Sequence, residues 1–271
     1  MTGRMSIVIV NFNGGAHLEG CLVSLAAAPP AALREIVVVD NASTDGSAAA
    51  TVRWPQVRLV QLPANVGFSA GNNAGIRASS GELVLLLNND TLVPPGALDR
   101  LVERLDAHPT AAVAGPRLVD GEGRVELSFG SMISPFAELR QRIIGGLHAR
   151  GSGPVWRWLE QRTRREHYVD WVSGACLLVR RAVADSVGGL DERFFLYTED
   201  VDFCASVRGK NWTVLFTPAA EVIHLRGRSR ATLAAASQAA YRRSHLAFYE
   251  KHHPRLVPLL KAYLRLKGQR P

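Results

Sequence analysis

Leu83-Val84-Leu85-Leu86-Leu87-Asn88-Asn89-Asp90-Thr91 sets five aliphatic residues in a row against two amides and a carboxylate. A continuous apolar run of this length fits a strand buried on both faces, as in a parallel sheet. In an open α/β sheet, ligands bind outside the carboxyl ends of the strands. Asp90 therefore stands where a metal or a phosphate would be handled, although Asn-Asn-Asp is also ordinary turn chemistry after a strand.

The same pattern recurs upstream. Ser6 to Val10 is a β-branched strand that ends in Asn11-Phe12-Asn13-Gly14-Gly15. Leu18, Cys21, Leu22 and Leu25 repeat at helical spacing, and Pro29-Pro30 ends that helix. Glu35 to Val39 is a second buried strand, closed by Asp40-Asn41-Ala42-Ser43. A helix opens next, with Ser43, Thr44 or Asp45 as candidate N-cap. Val57 to Val60 is a third, short strand, and Asn65 to Gly75 reads as a glycine- and amide-rich loop entering a small-residue helix. This alternation predicts an α/β protein with a doubly wound, largely parallel sheet flanked by helices. The loops after Val10, Val39 and Leu87 should converge on one sheet edge. The first loop is not G-x-G-x-x-G, and no G-x-x-x-x-G-K-[ST] occurs, which disfavours a dinucleotide or P-loop enzyme. Asp40 can still hydrogen-bond a ribose or a base.

Downstream, Pro94-Pro95 leads into a helix with Leu98, Leu101, Val102 and Leu105 on one face. Ala111 to Pro116 reads as a strand, and Asp120 to Gly123 as a hairpin-like turn. Residues 128–168 break the alternation. Phe136, Ile143, Trp156 and Trp158 sit among Arg140, Arg142, Arg162 and Arg164. That is a basic, amphipathic helical insertion, either a flap packed on the body or an acceptor-side surface that meets lipid headgroups. Val169 to Arg180 returns to the core, and Ser173, Gly174 and Ala175 permit close approach of backbone or ligand. Glu199, Asp200 and Asp202 fall in the first turn of a helix with Thr198 as candidate cap, where its dipole favours acids. Trp212 to Phe216 and Glu221 to His224 read as two late strands, and a helix is expected from Thr232 through Phe248.

The 271 residues are 47% hydrophobic and 21% charged, enough for one large α/β domain with an extension. From Arg226 onward there are eleven bases and one acid, a net +10 that leaves −2 for the first 225 residues of a chain whose total is +8. Residues 254–267 are apolar, aromatic and basic but too short to span a bilayer. They suit an anionic membrane surface, or simply a solvated basic face. No signal peptide or spanning run is read, and three scattered cysteines suit a reducing, cytoplasmic compartment. The charge sits in a tail without a recognition motif, so nucleic acid is not an expected partner.

Four segments in this order resemble the family-2 glycosyltransferases, which have the GT-A nucleotide-diphospho-sugar transferase fold. They are Ser6 to Gly14, Val39 to Ser47, Asn65-Val66-Gly67-Phe68 with Asn72-Asn73-Gly75, and Gly189 to Phe195 running on to Glu199-Asp200-Val201-Asp202. The subgroup most resembled extends cell-wall or surface glycans with rhamnose. The resemblance implies a GT-A domain over residues 1–230, with a nucleotide-binding half at 1–115 and an acceptor and catalytic half at 116–230. A basic amphipathic helical tail at 231–271 would follow. It implies that Asn11 and Asp40 line the nucleotide pocket, with Asn65, Phe68, Asn72 and Asn89 beside it. Asp90 takes the metal-binding aspartate's place, though Asn88-Asn89-Asp90 offers only one carboxylate. His224 matches a further metal ligand of some relatives. Asp200 matches the catalytic base, and Glu199 and Asp191 would flank the acceptor.

Inverting transfer is one in-line displacement at the anomeric carbon. A carboxylate must take the acceptor hydroxyl's proton from hydrogen-bond range. A divalent cation can neutralise the leaving diphosphate. Asp90 and diphosphate oxygens suit Mg²⁺ or Mn²⁺, and a histidine tilts the set towards Mn²⁺. The expected reaction moves a sugar, first choice rhamnose from dTDP-rhamnose and second a UDP-sugar, onto a lipid-linked or growing glycan. The enzyme would sit peripherally at the inner face of the cell membrane. The rivals are a nucleotide-sugar-binding protein without transfer and a nucleotidyltransferase sharing the fold. Thr198-Glu199-Asp200 argues against both.

Overall fold

The computed structural model describes residues 3–138, 153–225 and 234–266. Strands β1 (Met5–Asn11), β2 (Leu33–Asp40), β3 (Val57–Gln61) and β4 (Leu83–Asn88) alternate with helices α1 (Gly15–Ala27), α2 (Ser47–Ala50) and α3 (Gly67–Ala78). All four strands are parallel, in the order β3-β2-β1-β4. Side chains alternate across this sheet. Ile7, Ile9 and Leu85 pack towards α1 and towards α4 (Ala97–Asp106), and Val8, Val37 and Val84 pack towards α3. Strands β1 and β4 and the Ile36–Val39 part of β2 are buried on both faces, which is why they read as unbroken apolar runs, whereas the edge strand β3 exposes Arg58 and Gln61.

After β4 come the two-residue strand β5 (Thr91–Leu92), α4, and then β6 (Ala111–Val119) and β7 (Val125–Glu126), joined by the hairpin at 120–123. The two-residue β8 (Phe129–Gly130) follows, then α5 (Gly153–Thr163), β9 (His167–Val169), β10 (Trp171–Val172), β11 (Cys176–Arg180) and α6 (Arg181–Ser186). Helix α7 (Glu199–Arg208) leads to β12 (Thr213–His224). The second half continues the sheet past β4 as β11-β6-β12-β5. There β11 runs antiparallel to both neighbours, and β12 runs parallel to β6. The result is the mixed, mostly parallel sheet flanked by helices that the sequence predicts.

Several local expectations are corrected. The two late strands are one, β12, which carries an irregularity between Thr217 and Glu221 where Pro218 cannot donate to a ladder. The glycine-rich stretch is already helical at Gly67, and its small residues let α3 lie close on β1. A Cβ on Gly75 would stand 2.2 Å from the Val8 side chain. Gly46, not Ser43, Thr44 or Asp45, is the N-cap of α2, although Asp45 Oδ1 accepts the Ser47 amide at 3.0 Å. Thr198 is the N-cap of α7 as expected, but with φ of +71° it makes no capping side-chain bond. The region read as a helical insertion at 128–168 is bounded by strand: β8 pairs with β10, and β9 pairs with β12. Arg140, Arg142 and Ile143 lie outside the described residues, as does the Trp156 side chain.

Of the tail, α8 (Ala234–His252) and α9 (Val257–Leu266) are helical. Helix α8 is anchored to the body: Phe248 and Tyr249 are buried against Phe194 and Val201. Part of α9, through Val257 and Leu260, packs on the same cluster.

Candidate active site

Strand register brings three predicted loops to one edge. Asn11 is paired with Asp40, and Val10 with Asn88. The fully buried Asn11 Nδ2 donates to Ser47 Oγ at 2.8 Å and lies 3.3 Å from Asp40 Oδ1. Its Oδ1 accepts from Asn89 Nδ2 at 2.9 Å. Asn11, Asp40 and Asn89 thus form one hydrogen-bonded group at the ends of β1, β2 and β4. Asn41, which the sequence reading did not single out, organises the next loop. Its Nδ2 donates to Asn65 Oδ1 at 2.9 Å, and its Oδ1 accepts the Val66 amide at 2.9 Å. Asn72 turns inward, with Nδ2 on Phe68 O at 2.9 Å.

The start of α3 is stitched to the segment that leads to α7. The Phe68 amide donates to Phe195 O at 2.7 Å, and Ser69 Oγ donates to Phe194 O at 2.6 Å. The buried Asn73 donates to Leu190 O at 2.8 Å and accepts the Leu190 amide at 2.9 Å. These contacts explain why Asn-Asn and Gly-Gly-Leu-Asp belong together although 117 residues separate Asn73 from Leu190.

At the end of β4, Asp90 Oδ1 lies 3.3 Å from His224 Nε2. The other ring nitrogen of His224 is 3.1 Å from Glu126 Oε2. Burial would lower the pKa of His224, but the hydrogen bonds and charges of Asp90 and Glu126 outweigh it and raise it to about 9. Glu126 has no signal in the sequence, since β7 is two residues long and only tertiary pairing with β6 puts it here. Among the described residues, no three His, Cys, Asp or Glu side chains form a group that could hold a metal ion by themselves.

Asp200 sits across the next strand end. Asn88 N donates to Ala175 O at 3.0 Å, so the 173–175 turn lies beside the Asn88 to Asp90 loop. Within that turn the Gly174 amide donates to Asp200 Oδ2 at 2.9 Å, while the Val201 amide donates to Oδ1 at 2.8 Å. A Cβ on Gly174 would stand 3.4 Å from Asp200 Cβ and 3.5 Å from the Phe68 ring, in ordinary van der Waals contact, so Phe68 and Asp200 meet over this glycine. Burial raises the pKa of Asp200, and the two amide bonds work against it. The carboxylate lines a cavity of about 270 Å³ together with Trp171, Ser173, Tyr197, Tyr241 and His245. Tyr197 and Thr198, the two residues before α7, have φ of +70° and +71°. Non-glycine residues in that region are strained, and such strain concentrates at functional sites.

The neighbouring acids sit differently. Glu199 is buried, and its Oε2 has no partner. Burial and the charge of Asp200 push its pKa well above the ordinary carboxylate range. Asp191 is paired with Arg193 at 2.7 Å and Lys251 at 3.0 Å. Arg193 leads in holding it far below that range. Neither side chain lines the Asp200 cavity. Tyr241 and His245 do, although both come from the tail, which the sequence reading kept apart from the catalytic half.

The sequence profile of Glycosyl transferase family 2 matches residues 6–185. An N-acetylglucosaminyl-diphospho-decaprenol L-rhamnosyltransferase of Mycobacterium tuberculosis is 35% identical over 274 residues, covering 93% of this chain and 86% of that protein. A mannosyltransferase from Pyrobaculum calidifontis, solved with GDP-Man and Mn²⁺, superposes with a TM-score of 0.64 at 19% identity, over 97% of this chain and 69% of that one. GalNAc-T7, solved with UDP, GalNAc and Mn²⁺, gives a TM-score of 0.64 at 16% identity, over 90% of this chain and 47% of that one.

Proposed function

The chain belongs to glycosyl transferase family 2 and has the GT-A fold, and from that membership we propose that it transfers rhamnose from dTDP-rhamnose to a lipid-linked glycan with inversion. That it is a glycosyltransferase follows from the family; the donor, acceptor and mechanism are our reading. The observation that carries it is Asp200, a carboxylate on the wall of a cavity next to the edge where the donor loops meet. The identity to a rhamnosyltransferase acting on a diphospho-decaprenol substrate supports the choice of sugar and acceptor.

In this mechanism Asn11 and Asp40 hold the base and ribose, with Asn65, Phe68, Asn72 and Asn89 shaping the rest of the donor pocket. Asp200 takes the proton of the acceptor hydroxyl as that oxygen attacks the anomeric carbon. Its raised pKa brings it nearer neutral pH, which favours a general base, and its two amide bonds fix its orientation. Burial and the charge of Asp200 raise the pKa of Glu199, which disfavours a second charge beside it. Asp90 and His224 present an oxygen and an imidazole nitrogen within 3.3 Å of each other, a donor pair that suits Mn²⁺ or Mg²⁺ once diphosphate oxygens complete the set. Such a cation supplies neutralisation of the leaving diphosphate. His224 must give up its proton to ligate it. No helix among the described residues is long and apolar enough to cross a membrane. Access to a lipid-linked acceptor then rests on peripheral contact through the basic tail.

Incubation with dTDP-rhamnose and a prenyl-diphospho-N-acetylglucosamine acceptor, followed by dTDP release and mass of the glycolipid, tests the reading. A gain of one deoxyhexose with loss of dTDP supports it. Transfer from UDP-sugars but not from dTDP-rhamnose would replace the donor, and release of pyrophosphate would replace the reaction.

A further inference from the structure

A second cavity, of about 320 Å³, lies between the helical turn at 135–138 and the tail helices. Its lining is almost wholly apolar: Pro135, Tyr249, Leu256, Leu259, Leu260 and Tyr263. Glu138 borders both this groove and the Asp200 cavity. That carboxylate is already engaged, accepting from His245 Nε2 at 2.8 Å and from Tyr249 Oη at 2.7 Å. The wall shared by the two cavities thus carries a carboxylate whose Oε1 is held by His245 and Tyr249.

We propose that this groove holds the first isoprenoid units of the lipid that carries the acceptor sugar. The inference rests on the reading of the acceptor as lipid-linked and adds the place where the lipid leaves the active site. The attacking hydroxyl must sit at Asp200, so the diphosphate and chain attached to its sugar must leave the same cavity. On the far side of Glu138 the lining is apolar, which a hydrocarbon chain needs and a sugar or nucleotide does not. The lining offers rings and aliphatic side chains, which suits a chain without hydrogen-bonding groups. Charge agrees: Arg255, Lys261 and Arg265 lie on or next to α9, as an anionic diphosphate and an anionic membrane surface require. Leu259 is 69% exposed at the rim although it is a large apolar side chain, the position where a lipid would pass from membrane to enzyme.

The test compares two acceptors in solution without detergent: N-acetylglucosaminyl diphosphate bearing a farnesyl chain, and the same headgroup bearing a butyl chain. The wild type should show a KM at least tenfold lower for the farnesyl acceptor. Leu259→Asp adds a charge at the rim, at an exposed position that tolerates it, and Leu260→Trp fills the groove. Each should raise the farnesyl KM about tenfold and leave kcat and the butyl KM within twofold. An undiminished farnesyl preference in both variants overturns the proposal, as does an equal loss on both acceptors. Should neither acceptor be glycosylated by the wild type, the reading of the reaction fails. Calorimetric binding of farnesyl phosphate, lost in both variants, then still supports the groove, and no binding to the wild type overturns it. A dimer in sedimentation that Leu259→Asp dissociates, with farnesyl affinity unchanged, would assign the groove to a second copy of the chain and overturn the lipid.

Discussion

Asp202→Ala should loosen the tail from the catalytic half, and its cost can be worked from the contacts. Asp202 is 1% exposed on α7. Its Oδ2 accepts from Lys251 Nζ at 2.7 Å and its Oδ1 meets His252 Nε2 at 2.6 Å, both from α8. Removing one partner of a fully buried ion pair costs about 3–5 kcal/mol, because the other charge is left without compensation. Here the Lys251 and His252 side chains remain 28% and 23% exposed, so both regain some water. A cost of about 2–3 kcal/mol is the reasonable figure. For a chain of this size each kcal/mol lowers Tm by about 2–4 °C, so the fall should be about 4–12 °C. Function should follow selectively. Helix α8 brings Tyr241 and His245 to the Asp200 cavity, whereas the loops we propose for the donor follow β1, β2 and β4. Acceptor KM should rise severalfold while nucleotide binding, read by thermal shift, stays within twofold. Differential scanning calorimetry with steady-state kinetics on both substrates measures this. A Tm within 1 °C of wild type, or a loss that falls on the donor instead, would refute the reasoning.

His224 gives the metal-free protein a pH signature. Its folded pKa, about 9, lies above its ordinary 6.5, so its contribution to stability is complete below pH 6.5 and disappears as pH rises through 9. The Tm advantage of wild type over His224→Gln should shrink across that interval; parallel pH profiles would contradict the pairing with Asp90 and Glu126. The three cysteines are all buried, and burial raises every thiol, Cys21 and Cys204 to about 12. A thiol reagent at pH 8 should therefore modify none of them until denaturant unfolds the chain, and rapid labelling of the native protein would show that one is open.

The sheet, and the meeting of the loops after β1, β2 and β4 at one edge, were legible because their signals are local. Leu83 to Leu87 and Glu35 to Val39 read as strands for the reason they are strands, burial on both faces. The polar residues that follow them meet because parallel strands end together. The acceptor side was less legible. Pro218 divided β12 in the sequence, yet pairing with β6 resumes at Glu221 and carries the strand on to His224. Glu126 reaches His224 from a two-residue strand that no periodicity marks. The tail read as basic and amphipathic, which counts its charges but hides its contacts. Phe248, Tyr249, Lys251 and His252 are committed to Phe194, Val201 and Asp202, partners set by tertiary structure alone. Glu199 and Asp191 show the limit of motif reading. Beside Asp200 in sequence or motif, one is a buried acid whose pKa is raised by burial and by Asp200, and the other a partner of Arg193 and Lys251.

Asp200→Asn tests the central claim most directly. The amide keeps the size of the carboxylate and can still accept one of the two backbone bonds, so donor affinity should be unchanged. General-base catalysis contributes about 10²–10⁴ in rate, and the variant should lose kcat by that factor. Single-turnover transfer to the prenyl-linked acceptor, run beside a nucleotide-binding titration, reads both at once. Intact donor binding with transfer reduced at least a hundredfold is the expected result; transfer near the wild-type rate would show that another group takes the proton.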